Sequence, residues 1–217
     1  MTRRLAIFDC DGTLVDGQAA VCEAMEAAFL VAGLPAPDRQ QVRRIVGLSL
    51  PQAIRLLAPD QPEAQRGRID AAYRQAFRAA RESGALAEPL YAGIAELIAA
   101  LAGAGWTLAV ATGKSRRGLD HCLAQHGLTA RFASLQTADD HPSKPHPAMI
   151  DAALAETGMD RADAVMIGDT EFDIDMAAAA GVRAIGVAWG YHTVQELRDA
   201  GAAAVAASPA HLWELLR

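Results

Sequence analysis

Asp9 and Asp11 stand one residue apart in "FDCDGTLVD", directly after the apolar run Leu5-Ala6-Ile7-Phe8. If that run is a strand, side chains two apart share a face and the two carboxylates begin side by side. Like charges that close repel, and one is driven toward protonation unless a cation intervenes. Three further stretches carry chemistry of a related kind. "LAVATGK" ends on Thr112, Gly113 and Lys114, and "HPSKPHP" puts Lys144 in a loop stiffened by Pro142, Pro145 and Pro147. "VMIGDTEFD" supplies Asp169 and then Asp173, one helical turn on and on the same face if a helix begins there. Taken singly, each has a simpler reading. Asp-Gly makes turns, Thr112 and Asp169 suit helix N-caps, Asp173 suits a helix N-terminus, and Lys144 suits a solvated surface. Those readings do not explain why acids, a hydroxyl and a lysine all follow strand-like runs.

The elements that must position these residues alternate. Strand-like runs occur at "LAIFD", "TLAVATG", "FASLQTAD", "AVMIGD" and "VRAIGVAWG", with a weaker one at "AAAVAAS". Helical spacing marks "GIAELIAALAGAG", "SRRGLDHCLAQHG", "HPAMIDAALAETG" and "EFDIDMAAAAG", each ending near a glycine. Such alternation predicts an α/β fold, a Rossmann-like parallel sheet with helices on both faces. Ligands of open α/β sheets bind outside the carboxyl ends of the strands, where all four stretches fall. Residues 17–86 hold no convincing strand and read as successive helices, giving an inserted all-helical cap domain on a core of residues 1–16 and 87–217.

Composition narrows the function classes. A net charge of −6 argues against nucleic acid or an anionic membrane as the main partner. The apolar part of the N-terminus is too short for a secretory signal. The uncharged stretch 97–113 is broken by glycines and reads as a helix end followed by a strand, not a membrane span. Cys10, Cys22 and Cys122 form no paired framework, which suits a soluble protein of a reducing cytoplasm. Cys10 reads as a small core side chain. Of 20 basic side chains only Lys114 and Lys144 are lysines. Where an arginine-rich chain uses lysine, a compact point charge is wanted.

The ordered set "DCDGT", "ATGK", "SKPHP" and "GDTEFD" resembles the haloacid dehalogenase-like superfamily of aspartate-nucleophile phosphatases. The resemblance implies that Asp9 is a nucleophile forming an aspartyl-phosphate and that Asp11 is the acid/base. It implies Mg²⁺ held by Asp9, the Asp11 backbone carbonyl and Asp169, with Asp173 in support. Thr112 and Gly113 would bind the phosphoryl group, and Lys144 would offset charge there. The role of Lys114 stays open. Relatives that cleave carbon–halogen bonds lack the second aspartate, and those that cleave carbon–phosphorus bonds use a cap lysine, absent here.

Within residues 17–86, "VRRIVGLSL" resembles the substrate-facing segment of phosphoglycolate-phosphatase-like members. Arg43 or Arg44 would then bind an anionic leaving group, with Gly47 as a turn permitting close approach. The implied function is a phosphoric monoester hydrolase for a small phosphorylated metabolite, 2-phosphoglycolate first among candidates, working as a monomer or homodimer. A sugar phosphomutase of the same fold is the alternative. A receiver-type or other non-catalytic phosphate-binding module ranks below both, because receivers carry the phosphorylated aspartate on a middle strand and have no cap.

Overall fold

The structure is a computed structural model and describes residues 4–217. Six strands, β1 (Arg4–Phe8), β2 (Trp106–Thr112), β3 (Ser134–Thr137), β4 (Ala164–Gly168), β5 (Arg183–Val187) and β6 (Ala204–Ala206), form one parallel sheet in the order β3-β2-β1-β4-β5-β6. The order reverses direction at β1, which lies between β2 and β4, so a ligand crevice opens at its carboxyl end. Register aligns the three ends there: Phe8 stands level with Val110 on one side and with Ile167 on the other.

β1 is buried on both faces because alternate residues feed two separate cores. Ala6 and Phe8 pack with α5 (Ile94–Gly103), α6 (Arg116–Gln125) and α10 (Pro209–Leu216), through Leu97, Leu119 and Leu212 among others. Leu5 and Ile7 pack on the opposite face with α7 (Ala148–Thr157), α8 (Glu171–Ala180) and α9 (Val194–Asp199), through Met149, Ile174 and Leu197. Stretch 97–113 divides as its glycines indicate, α5 ending at Gly103 and β2 beginning at Trp106. Among the described residues no helix is long and apolar enough to cross a membrane.

Between β1 and α5 lie α1 (Gln18–Val31), α2 (Arg39–Arg44), α3 (Leu50–Leu57) and α4 (Glu63–Glu82). They gather a third apolar cluster of their own, including Met25, Phe29, Val42, Ile54 and Ile69. The chain leaves the sheet and returns through adjacent connections. The Asp16 N–H donates to the Pro89 carbonyl at 2.8 Å, the Tyr91 N–H to the Leu14 carbonyl at 3.1 Å, and Val15 pairs antiparallel with Leu90.

Two helices were not read from the sequence, α9 and α10. α9 is six residues long with Leu197 as its buried anchor, too short to display an apolar period. Both carry start signals: Thr193 and Glu196 form a capping box, and Ser208 precedes Pro209 at the first helical position.

Candidate active site

Asp9 is the first residue beyond β1 and is fully buried. Its Oδ1 accepts the Cys10 N–H at 2.7 Å and lies 3.0 Å from the Lys144 ammonium. Its Oδ2 is buried with no hydrogen-bond partner. A carboxylate oxygen stripped of water and given no donor is costly, so this oxygen is kept for something that the protein itself does not provide. Burial pushes the Asp9 carboxyl up to about 7, with Asp173 and Asp11 adding to the rise and Lys144 opposing it.

Lys144 reaches the same point from the loop after β3. Its ammonium, 0 % exposed, lies 2.6 Å from Asp173 Oδ1. Burial works against that charge, but Asp173 and Asp9 outweigh it and hold the lysine protonated beyond its usual range. Asp173 occupies the first turn of α8, and its Oδ2 accepts the Thr170 N–H at 3.1 Å and the Thr170 hydroxyl at 2.7 Å. One oxygen thus caps the helix and the other faces Lys144, so the capping role and the site role coexist.

Asp169 follows β4. Its Oδ1 accepts the Thr13 hydroxyl at 2.9 Å and its Oδ2 the Tyr191 N–H at 2.9 Å. Burial, then Asp173 and Asp9, push its carboxyl well above the ordinary range, against those two donors. Asp9, Asp169 and Asp173 each offer an oxygen within 4.8 Å of the others. Three carboxylates facing one ammonium leave a deficit of two positive charges. Hard oxygen ligands, that deficit and the bare Asp9 oxygen fit a divalent cation such as Mg²⁺.

Asp11 diverges from this cluster. Both its oxygens are held by the Lys114 ammonium, at 2.8 and 3.0 Å, and Lys114 also meets Glu88 Oε1 at 2.6 Å. Lys114 stays protonated well above its ordinary value: burial opposes the charge, while Asp11 and Glu88 restore it. Both lysines of the chain are therefore enclosed by site carboxylates. Thr112 is buried at the end of β2, where its hydroxyl accepts the Lys114 N–H at 3.2 Å.

The helical insertion lies directly over these residues. A β-carbon on Gly113 would stand 2.4 Å from the Gly47 carbonyl oxygen and 2.5 Å from that of Leu48, so only glycine admits this contact. Gly47, at φ +100°, is close enough that its own β-carbon would lie 3.8 Å from Asp9 Oδ2. Ser143, next to Lys144, accepts the Ser49 N–H at 2.8 Å on its hydroxyl. A cavity of about 340 Å³ remains between insertion and sheet, bounded by Asp11, Thr112, Gly113 and Lys114 below and by α4 above. Arg43 and Arg44 do not line it. Arg44 extends outward to Glu196 at 2.7 Å, and Arg43 turns back toward Cys22 with its Nε buried and unpartnered.

A family model described as haloacid dehalogenase-like hydrolase matches residues 6–187. The chain belongs to that family. Among its curated relatives is a Dickeya dadantii protein named as a probable phosphatase, IndB, 40% identical over 202 residues that cover 90% of this chain and 86% of that protein. Another is a phosphoglycolate phosphatase of Agrobacterium fabrum, 34% identical over 88% of this chain and 82% of its own. Among solved structures, a predicted phosphatase from Clostridium acetobutylicum superposes with a TM-score of 0.89 at 25% identity, covering 100% of this chain and 99% of that one. The haloacid dehalogenase-like assignment and the α/β Rossmann-like fold read from the sequence are both supported.

Several members of this hydrolase site escaped the sequence. Thr13 and the Tyr191 N–H fix Asp169, Thr170 fixes Asp173, and Glu88 completes the Lys114 pair. Thr170 was findable, as the hydroxyl of a Thr-x-x-Asp cap at the end of a strand. Glu88 gave no signal beyond being a charge next to a proline.

Proposed function

We propose that the protein is a Mg²⁺-dependent phosphatase of small phosphomonoesters that works through an aspartyl-phosphate on Asp9. The observation that carries this reading is the Asp9 carboxylate, one oxygen pinned by the Cys10 N–H and Lys144 and the other buried without a partner. Pinning fixes the orientation of the carboxylate and so its line of approach to phosphorus.

In the first step an Asp9 oxygen bonds to phosphorus while the phosphorus–alcohol bond breaks, and Asp11 gives a proton to the departing oxygen. In the second, Asp11 takes a proton from water, whose oxygen attacks the aspartyl-phosphate and returns Asp9 with inorganic phosphate. The Thr112 hydroxyl, which accepts from Lys114 on one side, is free to donate its own proton to a phosphoryl oxygen, beside the small Gly113. Lys144 compensates the charge of phosphate and carboxylates at once. Mg²⁺, held by Asp9, Asp169, Asp173 and the Asp11 carbonyl, would supply Lewis-acid neutralisation of phosphoryl oxygens. Residues 17–86 act as the cap, whose Gly47–Leu48 turn shields the reaction from bulk water. Phosphatases among the relatives, phosphoglycolate phosphatases included, support the reaction class.

Phosphate release from a panel of phosphomonoesters, in Mg²⁺ and in EDTA, tests the proposal with Asp9→Asn as the control. Release that needs the metal and falls by roughly 10⁴-fold or more in the variant is expected. Release of equal rate in Asp9→Asn sinks the covalent route, and dependence on an added bisphosphate would point to mutase chemistry.

A further inference from the structure

The cavity above Asp11 has a charge opposite to that of the chain. Arg74, Arg78 and Arg81 reach it from one face of α4, and Lys114 and Arg117 from the sheet side, against Asp11 and Asp139. Two of these cations are already engaged, Arg74 by Asp70 and Lys114 by Asp11 and Glu88. Among the described residues the side chains of Arg78, Arg81 and Arg117 have no ion pair or hydrogen bond, and Arg81 has its Nε buried and unpartnered. In a chain of net charge −6, three guanidinium groups without a protein partner line one cavity, Arg78 and Arg117 exposed and Arg81 half-buried, an arrangement suited to an anion. The same face of α4 adds Tyr73 and Phe77, ring centroids 4.9 Å apart, and Met25 completes an apolar wall.

We propose, building on the phosphatase reading, that this cavity receives the alcohol part of the substrate. Arg78, Arg81 and Arg117 bind a second anionic group on it, a carboxylate or phosphate, while Tyr73 and Phe77 pack against its carbon body. The preferred substrates are phosphomonoesters whose leaving alcohol is itself an anion with a ring or chain between its two ends. A volume of about 340 Å³ lies at the lower end of the range of small-molecule pockets.

A matched pair of esters isolates the charge: 4-carboxyphenyl phosphate and its neutral 4-carbamoyl counterpart, hydrolysed in Mg²⁺. The parent enzyme should favour the carboxylate in kcat/KM by about tenfold or more, and R78A/R81A should bring that ratio close to one. R68A, which removes an exposed arginine of α4 off the cavity, should keep it. A 1,4-phenylene bisphosphate arm then tells phosphate from carboxylate as the second group, by which of the two is turned over faster. Calorimetric binding of the product 4-hydroxybenzoate, against 4-hydroxybenzamide, reads the same site without catalysis. Binding of the benzoate that R78A/R81A abolishes supports the anion site even if no ester is cleaved, in which case the phosphatase reading fails by itself. Hydrolysis with a parent ratio near one, or a ratio that survives R78A/R81A, overturns the inference.

Discussion

Replacing Lys114 by Met keeps the aliphatic stem and removes the ammonium that three carboxylate oxygens share. The side chains concerned are 10% exposed for Lys114, 11% for Asp11 and 1% for Glu88, so water from the cavity can replace the lysine only at Asp11 and not at Glu88. Glu88 Oε2 has no partner even in the parent, which leaves that carboxylate with nothing once the lysine is gone. Breaking a buried pair from one side costs about 3–5 kcal/mol. For a chain of this length each kcal/mol moves Tm by about 2–4 °C, so Lys114→Met should melt roughly 6–20 °C lower. Calorimetry in EDTA at pH 7.5 reads the effect without metal linkage. Adding Glu88→Gln to the variant should restore part of the loss, because one of the two stranded charges is then gone. A Tm within about 2 °C of the parent at pH 7.5 would show that the carboxylates find other partners and would refute the reasoning.

Burial pushes Asp9 up to about 7 and raises Asp169 as well, so the metal-free fold holds protons that the unfolded chain releases near 3.8. That stability is present in acid and lost as pH rises through 7, and a cation must displace the same protons to bind. Mg²⁺ affinity should therefore fall below pH 7 by about tenfold per unit for each proton displaced. Titrations at pH 6.5 in two buffers of different ionisation heat should show the release, and identical heats would contradict it. Gly113→Ala pushes a β-carbon to 2.4 Å from the Gly47 carbonyl, so the turn over Asp9 must lift. Its kcat/KM should drop by roughly 10²-fold with Tm nearly kept, and unchanged kinetics would mean that the turn does not matter to the reaction. Cys10, Cys22 and Cys122 are all buried, and the Cys122 contact, then burial, raise Cys10 well above a free thiol. A thiol reagent such as dithionitrobenzoate should find no fast-reacting group in the native protein, and a rapid equivalent would count against that packing.

The strand ends were legible because each is an apolar run that stops at a polar group, and parallel pairing then brings Asp9, Thr112 and Asp169 to one edge without further information. The two lysines were legible by their rarity. Direction was not. Asp9 and Asp11 share a spacing that predicts a common face, yet the turn at Asp11–Gly12 sends the Asp11 carboxylate to Lys114 and away from Asp169. Arg43 and Arg44 lie off the cavity for a related reason: a six-residue helix shows no period from which to read which side faces the site. Three of the four arginines that do line it sit on α4, where a 20-residue helix presents them at spacings of four and three, and the fourth is Arg117 of α6.

The paired crossings beside Leu14 and Leu90 have a consequence for how such proteins diversify. Entry to and exit from the helical segment lie next to each other, and backbone bonds of 2.8 and 3.1 Å stitch them together. An insertion joined at one such seam asks nothing of the strands behind it. A cut at Asp16 and Ala87 leaves Glu88, and with it the support of Lys114, on the sheet side of the seam. The sheet is in that sense a chassis: Asp9, Lys144 and Asp169 are bolted to it, whatever helices are joined at the seam.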